Sequence, residues 1–301
     1  MQRPFLIAVS LLGMSFVNAA PYGFSNYYFA DPDRHWHLEG TYRWIAPADF
    51  EKHHFQKLDY ADADAGIYYT QAIDDENTIT YQLGYDFPKL DWNKNPRFSQ
   101  THFNYFIGSV GYVSTTLERW RWIVNAGFSV DAERFDFGPS GVYHAMLWGR
   151  YHFSDCCGVH VGVLGWYGIR NGRGFPVFGF DWKFNDRWSA NAIFPVDYSL
   201  TYSFDENWSI ETAYASFGGP YKYPRRAHGG ISGFGNPIFM VYSNGVDLAL
   251  KYKFEHLLRA SLGVGWNFGG WVLIKNHESH HGKYFHFNSA PYAQGSIALT
   301  F

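Results

Sequence analysis

Charge is scarce in this 301-residue chain: 17% of residues are Asp, Glu, Lys or Arg, and they leave a net charge of −3. A nucleic-acid footprint needs a basic surface, so that partner class is set aside. Cysteine is nearly absent, with only Cys156 and Cys157, side by side. Adjacent cysteines close a strained ring, which disfavours a bridge between them. No internal run of about 18 apolar residues occurs, which excludes a transmembrane helix. No G-x-S-x-G occurs, and no Ser-His-acid constellation can be placed by spacing. No cofactor is implied, and a hydrolase stays a remote alternative.

Aromatic residues are abundant: they make up 21% of the chain, beside 31 glycines. That share is far above a typical globular domain. The clearest pattern starts at Val177. Alternate positions run Phe178, Phe180, Trp182, Phe184, then Trp188, Ala190, Ala192, Phe194, then Tyr198, Leu200, Tyr202, Phe204, then Trp208, Ile210, Thr212, Tyr214. Between them fall Gly179, Asp181, Lys183, Ser189, Asn191, Asp197, Ser199, Thr201, Ser203, Ser209 and Glu211. Period two is the signature of a strand with unlike faces. The breaks Asn185-Asp186-Arg187, Pro195-Val196 and Asp205-Glu206-Asn207 are turns. Four antiparallel strands therefore follow one another almost without connecting chain. Their apolar face is too aromatic and too continuous for one side of a small soluble sheet. We read it as facing lipid, with the sheet closed into an antiparallel up-and-down transmembrane β-barrel. Mean hydropathy is only −0.28, as expected when every second strand residue meets water. The alternative is a soluble secreted β-sandwich or barrel.

In chain order, residues 1–20 read as a secretory signal: Arg3 gives the positive start, Phe5 to Leu12 the apolar centre, and Val17-Asn18-Ala19 a small-residue approach to cleavage. The absence of Cys at that boundary argues against a lipoprotein. Residues 21–34 form a periplasmic lead-in, and 35–301 the barrel. Strands are expected at His35–Ala46, Ala63–Ile73, Ile79–Phe87, Ser99–Thr115, Trp120–Glu133, Tyr143–Phe153 and Val159–Ile169. The four strands above follow, then Val246–Phe254, Leu258–Phe268 and Ala290–Phe301. The total is about fourteen, with twelve the rival count; an even number suits single-chain bacterial barrels. Long external loops are expected at Pro47–Asp62, Pro88–Phe98, Gly218–Asn244 and Gly269–Ser289. Poor alternation near Gly108 and Gly111 suggests a bulge or kink.

Three features resemble bacterial outer-membrane β-barrels as a class, porins included: the signal, the strand-turn rhythm, and the chain end Gly295-Ser296-Ile297-Ala298-Leu299-Thr300-Phe301. In that class such an end is similar to the signal read by the barrel-assembly machinery. The repeats Phe184-Asn185-Asp186-Arg187-Trp188-Ser189 and Phe204-Asp205-Glu206-Asn207-Trp208-Ser209 are similar to those of uncharacterised outer-membrane barrels. The resemblance implies outer-membrane lipid and lipopolysaccharide as surroundings and carries over no catalytic residue.

Trp120, Trp188 and Trp208 open strands after short turns, while Phe184, Phe204, Phe254 and Phe301 close strands at the same end. Amphipathic rings favour the headgroup level, so these seven are expected to form a periplasmic aromatic girdle. Alternation alone assigns the lumen-lining charges. The cations are Arg43, Arg121, Arg150, Arg170, Lys183, Lys251, Lys253 and Arg259. The anions are Glu39, Asp86, Asp131, Glu133, Asp181, Asp197, Glu211 and Asp247. Equal numbers leave the lumen without a dominant sign. A barrel of this size lies between small filled barrels and open porins. Two readings follow: a porin-like channel for small solutes, or a structural or surface-interaction barrel with a blocked lumen and partner-binding loops. Cys156 and Cys157 fall in an expected periplasmic turn, where an intermolecular disulfide could form. His277, His280 and His281 are weak metal candidates, since their spacing matches no specific site.

Overall fold

The computed structural model describes residues 35–93, 102–133, 135, 137–138, 141–168, 171–222, 237–276 and 282–301. The expected signal and lead-in lie outside them. Among the described residues sixteen strand segments occur: β1 (Trp36–Phe50), β2 (His53–Ala72), β3 (Asn77–Trp92), β4 (Tyr105–Ser114), β5 (Trp120–Asp131), β6 (Val142–Ser154), β7 (Cys157–Gly168), β8 (Asn171–Lys183), β9 (Trp188–Phe194), β10 (Asp197–Ser203), β11 (Trp208–Phe217), β12 (Pro220–Lys222), β13 (Pro237–Phe254), β14 (Leu258–Asn276), β15 (Gly282–Phe287) and β16 (Ala290–Thr300). Neighbours pair antiparallel from β1 to β11; β13, β14 and β16 follow, and β16 returns to β1 through pairs running from His37↔Thr300 to Ile45↔Tyr292. Segment β12 prolongs β11 along β13, and β15 precedes β16 along β14. The result is a closed antiparallel barrel of fourteen strands.

Short turns gather at the end that carries Phe301, whose N–H donates to the Trp36 carbonyl at 2.9 Å. The repeated sequence motif has a plain local cause. The Asn185 Oδ1 accepts the N–H groups of Arg187 and Trp188, each at 2.9 Å. The Asp205 Oδ1 does the same for Asn207 and Trp208, at 2.8 and 2.7 Å. These Asx turns reverse the chain and deliver Trp to the first position of each following strand. In the β2–β3 turn, the Asn77 side chain and the Glu76 N–H donate to Asp74 and hold its carboxyl below the usual range. In outer-membrane barrels the short turns are periplasmic, which puts the opposite end outside the cell.

Outward residues are apolar and exposed. Leu262 and Val264 on β14 keep 70% and 64% of their surface open, and Trp266, Phe268, Leu248 and Leu83 are exposed as well. A soluble protein would bury such a band; a bilayer accommodates it. The expected bulge in β4 does not occur. Pairing with β3 and β5 runs in register through Gly108 and Gly111. Gly108 lies opposite Phe128, whose ring occupies the space a Cβ would need.

The larger corrections concern the expected external loops. Residues 47–62 are mostly strand, reversing only near Glu51-Lys52. Strand β3 likewise runs on to Trp92, and much of 237–245 and 269–287 is strand. In the outer part of β13 alternation fails because both faces are covered. Ile238, Phe239, Met240, Val241 and Tyr242 are consecutive strand residues, yet each is 5% exposed or less.

Candidate functional site

The interior of the barrel is the candidate site. Its inner wall is identified by contacts that cross it: the Tyr60 hydroxyl on β2 lies 2.9 Å from that of Tyr221 on β12. Residues in step with Tyr60 therefore face inward. On β1 to β5 they form a transverse hydrogen-bonded belt. Tyr68 donates to Glu39 at 3.0 Å, the Gln82 amide to Tyr68 at 3.1 Å, and Ser109 to Gln82 at 2.7 Å. Asn125 closes the series by donating to the Val110 carbonyl at 3.1 Å. Such a belt satisfies polar groups that would otherwise be costly in a dry interior.

Charges on the same wall are mostly braced in pairs. Arg43 donates to Asp62 at 2.8 Å, with Asp64 at 4.0 Å. Asp64 stands opposite the fully buried Asp86 in register. On β6 to β8, Arg150 grips both oxygens of Asp181, at 2.8 and 2.6 Å. His160 reaches the same carboxylate at 2.6 Å, and the Trp148 indole donates to its Nδ1 at 3.1 Å. That donor leaves Nε2 to carry the hydrogen that binds Asp181. Gly158 makes room, because a Cβ there would strike Asp181 and Arg150. Further round, Asn191 binds Asp197 at 2.8 Å, Thr201 donates to Glu211 at 3.0 Å, and Lys251 meets Glu211 at 2.5 Å. Tyr292 and Gln294 both donate to Asp247, at 3.0 and 2.6 Å.

The remaining charges sit nearer the barrel ends. Arg121 is the register partner of Arg150, and Arg259 that of Lys253. Lys183 pairs with Asp186 at 3.1 Å in a periplasmic turn. Asp131 ends β5 and accepts the N–H of Glu133, which is exposed. Arg170, His277, His280 and His281 lie outside the described residues. Cys156 is exposed in the β6–β7 turn, and Cys157 is half-buried beside it. The seven girdle candidates stand at the turn end of the barrel; six are exposed and Trp120 is half-buried. The sequence expectation passes over Tyr60 and Asp62, which fall in the segment expected as loop, and over Asp64, which falls in the expected strand Ala63–Ile73. It also missed Tyr221. The alternation of Leu58, Tyr60, Asp62 and Asp64 was the available signal.

The two ends of the interior differ. Toward the periplasm, the inward residues Ser189, Asn191, Ser199, Thr201, Ser209 and Glu211 are half-exposed. They line a water-accessible vestibule against β9 to β11. Toward the outside, an aromatic cluster fills the section. Phe103 stacks on Tyr221 with ring centres 5.2 Å apart, and Phe50 stacks on Trp92 at 4.1 Å. Leu58, Leu90, Phe239, Val272, Ile274 and Phe285 are buried in the same cluster.

The closure has an evident construction. Four adjacent strands break step along one line: Gly218-Gly219 after β11, the β13 irregularity between Ser243 and Gly245, Gly269-Gly270 in β14, and Asn288-Ser289 before β16. Gly218 and Gly269 take φ of +101° and +90° there, values that favour glycine. Ser243 donates to the Gly269 carbonyl at 3.0 Å and accepts from Asn267. Beyond this crease, the outer segments of β12 to β15 fold over the mouth as a flap. One flap face meets the cluster around Phe103, and the other sets Ile238, Met240 and Leu273 against Val142 and Trp166 on β6 and β7. On the barrel exterior, just below the crease, lies a cavity of about 690 Å³ lined in part by Trp44, Leu248, Val264 and Trp266.

A closed barrel, an apolar outer band and a polar inner wall define a transmembrane β-barrel of the outer-membrane kind. The chain is 24% identical over 278 residues to an uncharacterised protein of Chlamydia muridarum (strain MoPn / Nigg), covering 88% of this chain and 86% of the relative. It is also 24% identical over 284 residues to an uncharacterised protein of Chlamydia trachomatis serovar D, covering 90% and 88%. No protein-family model matches the chain. Among solved structures, an outer membrane channel from Pseudomonas putida F1 superposes with a TM-score of 0.50 at 9% identity, covering 92% of this chain and 98% of that one. The deltaS2S3 mutant of the TodX monoaromatic hydrocarbon channel gives a TM-score of 0.50 at 10% identity, covering 96% and 98%. At these identities the likeness is one of fold.

Proposed function

We propose that this protein is a gated, porin-like channel for small solutes, held closed in this conformation by the flap of β12 to β15. It is read as a conduit rather than an enzyme. One observation carries the reading: the obstruction is made of strand ends that bend at glycines at one end of the barrel, while a half-exposed polar vestibule lies beneath it. A purely structural barrel needs no vestibule. The second reading, a surface-interaction barrel with a permanently blocked lumen, draws on the Tyr60–Tyr221 contact and the dense aromatic closure.

Planar-bilayer conductance separates the two. The test compares the intact protein with a variant in which residues 219–242 and 271–287 are each replaced by an Asn-Gly turn, chosen to suit two-residue hairpins. The intact protein is expected to open rarely and the flapless barrel to conduct steadily. A flapless barrel that is folded, as judged by heat-modifiable electrophoretic mobility, yet silent would overturn the channel reading in favour of the second.

A further inference from the structure

We propose that the cavity on the barrel exterior is a lipid-binding site, which holds one acyl chain of a zwitterionic phospholipid of the outer leaflet. The proposal stands whether or not the lumen conducts.

The cavity follows one register row across five strands. Thr212 on β11 stands opposite Leu248 on β13, and Leu248 opposite Val264 on β14. Val264 stands opposite Ala293 on β16, and Ala293 opposite Trp44 on β1. All five line the cavity. Four strand spacings of about 4.8 Å make the row roughly 19 Å long. Its floor is lowest at Ala293, the small residue between Val264 and Trp44. Trp266, with Pro291 opposite it in register, forms the upper side. Leu248, Val264, Trp266 and Trp44 are exposed, so the trough is apolar and open to the bilayer. Its volume of about 690 Å³ falls among those of small-ligand sites, roughly 300–1,000 Å³.

The course of the row identifies the occupant. Counted from the periplasmic end, Thr212 is the fifth residue of β11 and Trp44 the ninth of β1. At about 3.3 Å per residue and a tilt near 40°, they stand roughly 10 and 20 Å up an apolar band about 25 Å tall. The row therefore climbs from mid-bilayer to the outer interface, the span of one outer-leaflet acyl chain. At its lower end the Thr212 hydroxyl donates to the Asp247 carbonyl at 2.9 Å, which suits a hydrocarbon neighbour. At its upper end the Trp44 indole donates to Asp59 at 2.9 Å. Such a ring keeps its apolar body in hydrocarbon and its polar tip at the headgroups. Beyond Trp44 the outward charges come in opposite pairs, Lys89 with Asp59 and Lys57 with Asp49, each at 3.8 Å. Two cations and two anions complement a headgroup that carries both phosphate and ammonium. A polyanionic glycolipid would set its phosphates against both carboxylates. Within the bilayer the gain from filling the trough is close packing, because an empty trough forfeits the dispersion contacts of its lining.

The test reconstitutes the intact protein in phosphatidylethanolamine vesicles in which some acyl chains carry a mid-chain diazirine. Irradiation and mass spectrometry then map the adducts. Adducts at Leu248, Val264 and Ala293 are expected several-fold above those at Leu83 and Val161, which are exposed at comparable depth on other strands. Ala293→Trp fills the floor and is expected to bring the row down to the level of Leu83. Equal labelling of both sets in the parent means an ordinary lipid shell and overturns the site. A row left unlabelled in a protein that migrates as a dimer means that a second copy covers it, which also overturns the site. Native mass spectrometry of the parent, taken from bilayers holding phosphatidylethanolamine and lipid A in equal amounts, does not depend on how the variant folds. One retained phosphatidylethanolamine supports the proposal. Retained lipid A overturns the headgroup assignment, and no retained lipid overturns the site.

Discussion

At the residue scale, the decisive property of a strand position is which solvent its side chain meets. Leu262 is the fifth residue of β14 above the periplasmic turn, facing outward near mid-bilayer. Its neighbour Ser261 faces inward and bonds Ser296 at 2.7 Å. Leu262→Arg is expected to destabilise the folded barrel by about 2–4 kcal/mol, and Leu257→Arg, in the turn, by about 0–1 kcal/mol. Urea titration in lipid vesicles measures both. Equal costs at the two positions would contradict the assigned membrane level. This outward set was legible from alternation, because a bilayer imposes one apolar side chain in two. The inner partnerships were not. Nothing local tells Asp181 that Arg150 and His160, on two other strands, will share its carboxylate; register decides that.

At the scale of an element, the proposed gating places the hinge of the flap at the crease. A β-branched residue at Gly269 would occupy a backbone conformation open to glycine, at a cost of about 1–3 kcal/mol. Because the strain falls where the flap meets the wall, Gly269→Val is expected to loosen the flap more than the barrel. Single-channel records should show more frequent opening than the parent, with a nearly unchanged urea midpoint for the barrel. A lowered midpoint with no extra opening would mean that the crease supports the wall and does not hinge. The outer parts of β13 and β14 read as loops in the sequence because a strand covered on both faces loses its period-two pattern. Runs such as Ile238-Phe239-Met240-Val241 and Trp271-Val272-Leu273-Ile274 carried the alternative signal, since continuous apolar stretches fit a doubly buried strand. The brevity of β9 and β10 was legible outright, because Pro195-Val196 interrupts two clean alternations.

At the scale of the whole molecule, the tryptophans divide between two surroundings. Trp36, Trp44, Trp182, Trp188, Trp208 and Trp266 are exposed on the outer face, while Trp92, Trp148 and Trp166 are buried within. Reconstitution in lipids brominated on the acyl chains is therefore expected to quench a large part of the emission, leaving a shielded remainder. Emission indifferent to bromination would mean that the outer face does not meet hydrocarbon.

The amino-acid sequence by itself determined the class of fold. Period-two alternation, Asx turns and the absence of long apolar runs are local properties, and together they permit little except a closed sheet in a membrane. Tertiary structure alone decided whether the lumen is open. That depends on Tyr60 finding Tyr221 and on four strands creasing at one level, contacts between residues far apart in the chain. A one-dimensional pattern records which face of a strand is apolar; it does not record what the bent strand will cover.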